Sequence, residues 1–187
     1  ILVLGLLLSG NAYADDISDF QIEGISIGDS VLDFFSKREI KKSIKSKYKD
    51  KKYITAAFYD VNSKLYDAIN LSFQKNDKQY IIEGISGAKF YNNKIDKCYK
   101  KQNEVFNELK TLFKNTENAE NQLRKVRWSK TATKNQSYMR FKDGSFAGVQ
   151  CFKYGKEDKK KHNIKDVMRV SLFTEEFNYW LINIAFK

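Results

Sequence analysis

Ile95-Asp96-Lys97-Cys98-Tyr99-Lys100-Lys101-Gln102-Asn103-Glu104-Val105-Phe106-Asn107-Glu108-Leu109-Lys110-Thr111-Leu112-Phe113 is the stretch from which the fold can be read. Ile95, Cys98, Tyr99, Gln102, Val105, Phe106, Leu109, Leu112 and Phe113 recur at three and four, so one helix face is apolar and the other charged. Asn93 stands where a cap belongs and Asp96 where a first-turn acid belongs. The pattern predicts an amphipathic helix over 93–114, about five or six turns long. Such a helix needs a surface to lie on, and the segments around it supply strands.

Upstream, Tyr53 to Asp60, Leu65 to Gln74 and Gln79 to Tyr91 read as three strands, with Asn62-Ser63 and Asn76-Asp77 at the turns of an antiparallel meander. Downstream, Asp143-Gly144 between Tyr138-Met139-Arg140-Phe141-Lys142 and the Ser145 to Tyr154 segment is a two-residue hairpin signal, and Val167 to Phe173 is a further strand. Residues 115–134 are polar, with Val126 and Trp128 as the candidate start of a strand, and residues 155–163 read as a solvated loop. Thr174-Glu175-Glu176 caps a last segment in which Phe177, Trp180, Leu181 and Ile184 have helical spacing. The composition of residues 180–186 favours a strand, so both remain open there.

Nearer the start, Phe20 to Ile27 alternates at period two as a half-buried strand does, and Gly28-Asp29-Ser30 breaks it. Ser30 and Asp33 are spaced as a capping box for a short helix carrying Val31, Leu32, Phe34 and Phe35. Through the lysine-rich residues 37–52, Ile40, Ile44 and Tyr48 at spacing four extend that helix with one apolar stripe. The expected fold is α+β: an antiparallel sheet of meander and hairpins covered by one long amphipathic helix plus shorter helices. Ile22-Glu23-Gly24-Ile25-Ser26 recurs as Ile82-Glu83-Gly84-Ile85-Ser86, which leaves duplication and coincidence both open.

The chain carries a formal charge of +11, with 42% hydrophobic residues, fourteen Phe and eleven Tyr, a composition that folds. Its basic residues are nearly all Lys; Arg occurs only at Arg38, Arg124, Arg127, Arg140 and Arg169. Arg supplies the planar fork that clamps phosphates and reads bases, so this balance argues against dedicated nucleic-acid binding. Lys, Asn, Ile, Tyr and Phe are also AT-rich codon residues, which accounts for part of the charge.

Residues 1–14 read as the later part of a secretory signal peptide, with the apolar run Ile1 to Leu8, a break at Ser9-Gly10-Asn11, and Ala12 and Ala14 as the small residues before cleavage. Eight apolar residues make about 12 Å of helix, against the ~30 Å needed to span a bilayer. The expectation is export, cleavage after Ala14, and one α+β domain over 15–187 in the periplasm or secreted.

In that oxidising compartment Cys98 and Cys151 are expected to form a disulfide. A plain two-residue turn at Asp143-Gly144 puts Cys151 on the face with Val149 and Ala147, opposite Met139, Phe141, Phe146 and Phe152. Either that face meets the helix, or a bulge at Gly148 switches the alternation. His162, the only His, lies in a lysine run and reads as exposed loop, which leaves Ser-His-Asp, Cys-His and ordinary zinc arrangements without candidates. No phosphate-cradling glycine loop occurs. Asp29 with Asp33, and Asp60 with Asp67, read as caps and turn residues rather than as acid–base pairs.

The segment from Ile17 through Ser30, the stretch Asp96-Lys97-Cys98-Tyr99-Lys100-Lys101 and Phe173-Thr174-Glu175-Glu176-Phe177 together resemble an uncharacterised family of exported proteins of streamlined marine alphaproteobacteria. The resemblance covers most of the chain after the expected cleavage site and implies the address, with no chemistry. Ile27-Gly28-Asp29-Ser30 and the helix after it are also similar to the opening of small outer-membrane assembly lipoproteins. The lipid-bearing Cys of that group is missing, since Asp15 stands at the expected mature start.

The function expected from these residues is a binding or interaction module with no cofactor and no metal. Lys41, Lys42, Lys45, Lys49, Lys51 and Lys52 in one stretch, and Lys159, Lys160 and Lys161 in another, are its candidate contacts for an anionic lipid, an acidic glycan or an envelope protein. The alternative is a periplasmic enzyme using carboxylate or Lys acid–base chemistry.

Overall fold

The computed structural model describes residues 17–45, 48–59, 61–113, 115–126 and 129–187. The expected signal peptide with Ala12 and Ala14, together with Asp60 and Trp128, lies outside the described residues.

Along the chain come a 3-10 turn at Ile17–Asp19, the short strands β1 (Gln21–Ile22) and β2 (Ile25–Ser26), and a second 3-10 turn at Val31–Asp33. Helix α1 (Lys37–Ser43) precedes strands β3 (Tyr53–Tyr59), β4 (Ala68–Gln74) and β5 (Gly84–Phe90). Helix α2 (Ile95–Leu112) precedes β6 (Glu117–Lys125), β7 (Thr133–Arg140) and β8 (Phe146–Lys153). Helix α3 (Lys156–His162), strand β9 (Val167–Phe173) and helix α4 (Glu175–Asn183) complete the order. The fold is α+β. Strands β3 to β9 make a seven-stranded sheet in the order β3-β4-β5-β9-β8-β7-β6, antiparallel throughout, while β1 and β2 pair with each other.

Helix α2 buries Cys98, Gln102, Val105, Phe106 and Leu109, the face its spacing dictates. It packs mainly on β8, with β7 and β9 beside it. Over the other half of the sheet the cover comes from the chain before β3: Ile17, Phe20, Ile22, Ile25 and Val31, together with Ile40 of α1, join the same core. The two parts meet where the Phe20 ring lies 4.1 Å from that of Phe113. One long helix is thus half of the cover.

Several local expectations are corrected. Asn93 does not cap α2; Asn92 and Asn93 both take left-handed φ, the cap position falls to Lys94, and Asn93 Oδ1 accepts from Lys159 Nζ at 2.6 Å. Ser30 caps only the 3-10 turn, and the reciprocal capping box belongs to Ser36 and Glu39. The helix that starts there ends at Ser43, because Ile44 turns extended and pairs with Ala56 on the β3 edge, where Lys45 N–H donates to Thr55 O at 3.1 Å. Crowded lysines disfavour further turns, and β-branched Ile44 suits a strand. Phe20 to Ile27 is no single strand: Glu23 and Gly24 with φ of 55° and 77° fold it into the β1-β2 hairpin. The second copy of the pentapeptide instead runs into β5, so the repeat has no structural counterpart.

Residues 155–163, read as a loop, contain α3, with Glu157 and Asp158 in its first turn, Lys159 to His162 in its last and Asn163 left-handed as its C-cap. That charge order complements the helix dipole. Residues 117–125 form β6, an edge strand exposed along most of its length. Residues 175–183 are helical, with Phe177 N–H bonded to the Thr174 hydroxyl at 3.2 Å.

The β7-β8 hairpin decides the cysteine geometry. Arg140 pairs with Phe146 and Phe141 N–H donates to Ser145 O, so the loop is Lys142-Asp143-Gly144, one residue longer than expected, with Gly144 at φ 84°. The shift pairs Met139 with Ala147 and puts Met139, Ala147, Val149 and Cys151 in the core under α2, without a bulge at Gly148. Cys98 and Cys151 are both fully buried and joined in a disulfide, Cα to Cα 6.0 Å.

Candidate ligand-binding face

Alternate residues of a strand point to opposite sides of a sheet, so the register sorts every side chain. On the side away from α2, two clusters fill the ends. At one end α4 packs Phe177 and Trp180 with Tyr53, Tyr48 and Phe173, and Phe177 sits so close over Gly84 that a Cβ there would lie 2.6 Å from its ring. At the other end Ala68, Ala88, Val167 and Tyr154 pack with Val126 and Ala132.

Between the clusters the floor is polar but buried, with Ser72, Ser86 and Ser171 shielded from solvent and the Phe146 ring lying over Gly148. Asn70, Ser86, Ser171 and Gly148 stand side by side across β4, β5, β9 and β8. The Ser86 and Ser171 hydroxyls are 2.9 Å apart, and Tyr48, Thr55 and Ser72 form a hydroxyl chain at 3.0 and 2.7 Å. The next row across the strands is Arg169, Gln150, Gln136 and Gln122, contributed in register by β9, β8, β7 and β6. Adjacent members of such a row are about 4.8 Å apart.

Arg169 is exposed, and its guanidinium carbon lies 5.3 Å from the Phe152 ring centroid. Its charge is felt on both sides. Burial pushes the Tyr48 hydroxyl above its ordinary range, while the Thr55 bond and then Arg169 oppose that rise. Burial likewise raises Tyr154, and Arg169 again opposes it. By strand parity Arg124, Arg140 and Arg169 share this face, and all three are exposed. Among the described residues none of them forms an ion pair. A guanidinium without a carboxylate can take a carboxylate or phosphate in two parallel bonds. Gln side chains both donate and accept, and so match hydroxyls and amides.

The lysines anticipated as one basic surface are separated. Lys41, Lys42, Lys45, Lys49, Lys51 and Lys52 precede β3, whereas Lys159, Lys160 and Lys161 follow β8 in α3, at the opposite ends of their strands. A seven-residue strand puts about 20 Å between them. Two form ion pairs: Lys52 with Glu176, and Lys159, whose Nζ reaches Asp166 at 2.8 Å. Asp166 is buried and also accepts Tyr154 N–H at 2.9 Å, so this carboxylate–Lys pair ties α3 to the sheet end. Asp29 accepts Ser26 N–H at 2.8 Å, Asp67 accepts Phe90 N–H at 2.7 Å, and Asp33 lies in the first turn of its 3-10 segment. His162 is exposed at the end of α3. Among the described residues no group of three His, Cys, Asp or Glu is placed to hold a metal ion.

Sequence reasoning missed Arg169 and the glutamines because only the pairing register unites them. The signal within each strand was a polar residue between apolar ones, as in Met168-Arg169-Val170 and Val149-Gln150-Cys151. No family model, curated protein or solved structure matches this chain.

Proposed function

We propose that the protein is an exported periplasmic binding module that holds an acidic, hydroxyl-rich glycan along a row of accessible polar side chains on the sheet face opposite α2. The observation that carries this reading is the in-register row Arg169, Gln150, Gln136 and Gln122. Arg169 matches a sugar carboxylate and the amides match hydroxyls, while the Phe152 and Tyr138 rings in the flanking rows supply flat apolar surface. The backbone under Arg169, Gln150 and Gln136 is regular sheet, whereas Gln122 follows a bulge in β6, with Asn121 at φ 51°, that resets its register on β7. Export is supported by the Cys98–Cys151 disulfide and by the resemblance to exported alphaproteobacterial proteins.

The test is titration of isotope-labelled protein with oligogalacturonate, a carboxylate-bearing glycan, followed by amide chemical shifts. Shifts are expected in residues 134–138, 148–152 and 167–171, with little response to an uncharged glucan of the same length. Arg169→Ala is expected to weaken binding about tenfold to a hundredfold, the size of a charge-assisted hydrogen bond. An unchanged affinity in Arg169→Ala, or shifts confined to α1 and α3, would remove the sheet face from consideration.

A further inference from the structure

Large apolar side chains crowd the surface at one place. Tyr179 is 62% exposed, Ile182 46%, Ile184 41% and Phe186 43%, all within eight consecutive residues of α4 and the turn after it. Scattered exposed apolar residues are ordinary on a folded protein; four large ones together mark a contact surface.

The lysine-rich chain before β3 is fastened to this same element. Lys49 N–H donates to Ala185 O at 2.8 Å, the Trp180 indole donates to Asp50 Oδ1 at 2.6 Å, and the Tyr48 ring meets that of Phe186 edge-on at 5.4 Å. Lys45, Lys49 and Lys51 are exposed, and Lys51 Nζ donates to Tyr48 O. Of the acids nearby, Asp50 is bonded to Trp180 and Glu176 to Lys52, while Glu175, at the far end of α4 from residues 184–186, lies over the turn at Gly144. The surface is therefore apolar with a cationic border.

We propose that this surface, α4 with residues 184–186 and its border of Lys45, Lys49 and Lys51, docks on an anionic lipid surface. A second copy of the chain is the weaker occupant, because it would set these lysines against their own equivalents. A bilayer with anionic headgroups offers negative charge outside and hydrocarbon beneath, the order the protein presents in reverse. Tyr and Phe at the junction suit the headgroup level. The nine residues of α4 are too few to span a bilayer, so the helix lies along the surface. This inference is independent of the glycan reading, since it uses a different set of residues.

The experiment is co-sedimentation with vesicles of phosphatidylcholine alone and of phosphatidylcholine mixed with phosphatidylglycerol. Binding is expected only to the mixed vesicles and is expected to weaken with salt. Lys49→Glu with Lys51→Glu should reduce it at least about tenfold, since each lysine near an anionic surface contributes about fivefold. Tyr179→Ser, at the most exposed position, should reduce it severalfold without changing the melting temperature. Lys160→Glu with Lys161→Glu, in α3, should leave it within about twofold. Equal binding to both vesicle types would overturn the proposal, as would an equal loss from the α3 pair. Self-association abolished by Tyr179→Ser in the absence of vesicles would assign the surface to a second copy instead.

Discussion

Replacing both Cys98 and Cys151 by alanine is expected to lower the unfolding free energy by about 2 to 5 kcal/mol. The bond closes a loop of 53 residues between the first turns of α2 and the end of β8, and both sulfurs are fully buried, so it constrains the unfolded chain without being reachable in the folded one. Urea unfolding of oxidised, reduced and substituted protein measures the effect. Coincident midpoints for all three would show that packing of α2 on β8 does the work alone. Because the sulfurs are buried, reductant should act only through opening of the chain, and the rate of reduction should rise with urea.

Trp180→Ala should cost about 3 to 5 kcal/mol, the range for emptying the site of a fully buried large aromatic. The indole packs against Tyr53 at 4.8 Å, Tyr48 at 4.9 Å and Phe177 at 5.8 Å between centroids, so its loss loosens α4 and the lysine segment together. Trp180→Phe keeps most of the ring contact and removes the bond to Asp50. The Asp50 carboxyl is held below its ordinary range, first by Lys52 N–H and then by the indole N–H. A carboxyl with a depressed folded pKa contributes stability above its unfolded value near ~3.9 and loses it as pH falls through the folded one. The stability gap between the parent and Trp180→Phe is therefore expected to narrow in acid. A gap constant from neutral pH to well below pH ~4 would mean that the indole–carboxylate bond contributes nothing.

What could be read from the residues were the elements with strong periodicity. α2 shows its face because Cys98, Val105, Phe106 and Leu109 are buried at three and four, and the strands of the first meander show theirs through turn residues between apolar runs. β6 is illegible because an edge strand with no buried residue needs no apolar pattern; Glu117 to Lys125 is held by backbone bonds to β7. α3 was hidden by its charges, whose order along a helix mattered more than their number. The cover before β3 was misread because Gly24 and Ile44 each change backbone direction inside a stretch whose side-chain period suggested continuity. Arg169 and the glutamines became a candidate site only through pairing between distant strands, which no single stretch encodes. The lysines were visible from the start, but their meaning depends on the apolar surface to which the folded chain fastens them.

The central pairing of the sheet, β5 with β9, joins Gly84 to Phe173 and Phe90 to Val167. Each of the two meanders on either side consists of neighbours in sequence, so each can zip up soon after its residues are free. The seam between them must wait for β9, which comes last in sequence among the described strands. Until then β5 offers an unpaired edge, and such edges recruit strands from other chains. Closing a seam over so long a span is slow relative to the local steps, which sets up a race between intramolecular closure and association with neighbouring molecules. Refolding yield should fall as protein concentration rises. A chain truncated before Val167 should aggregate as two preformed half-sheets with nothing to join them.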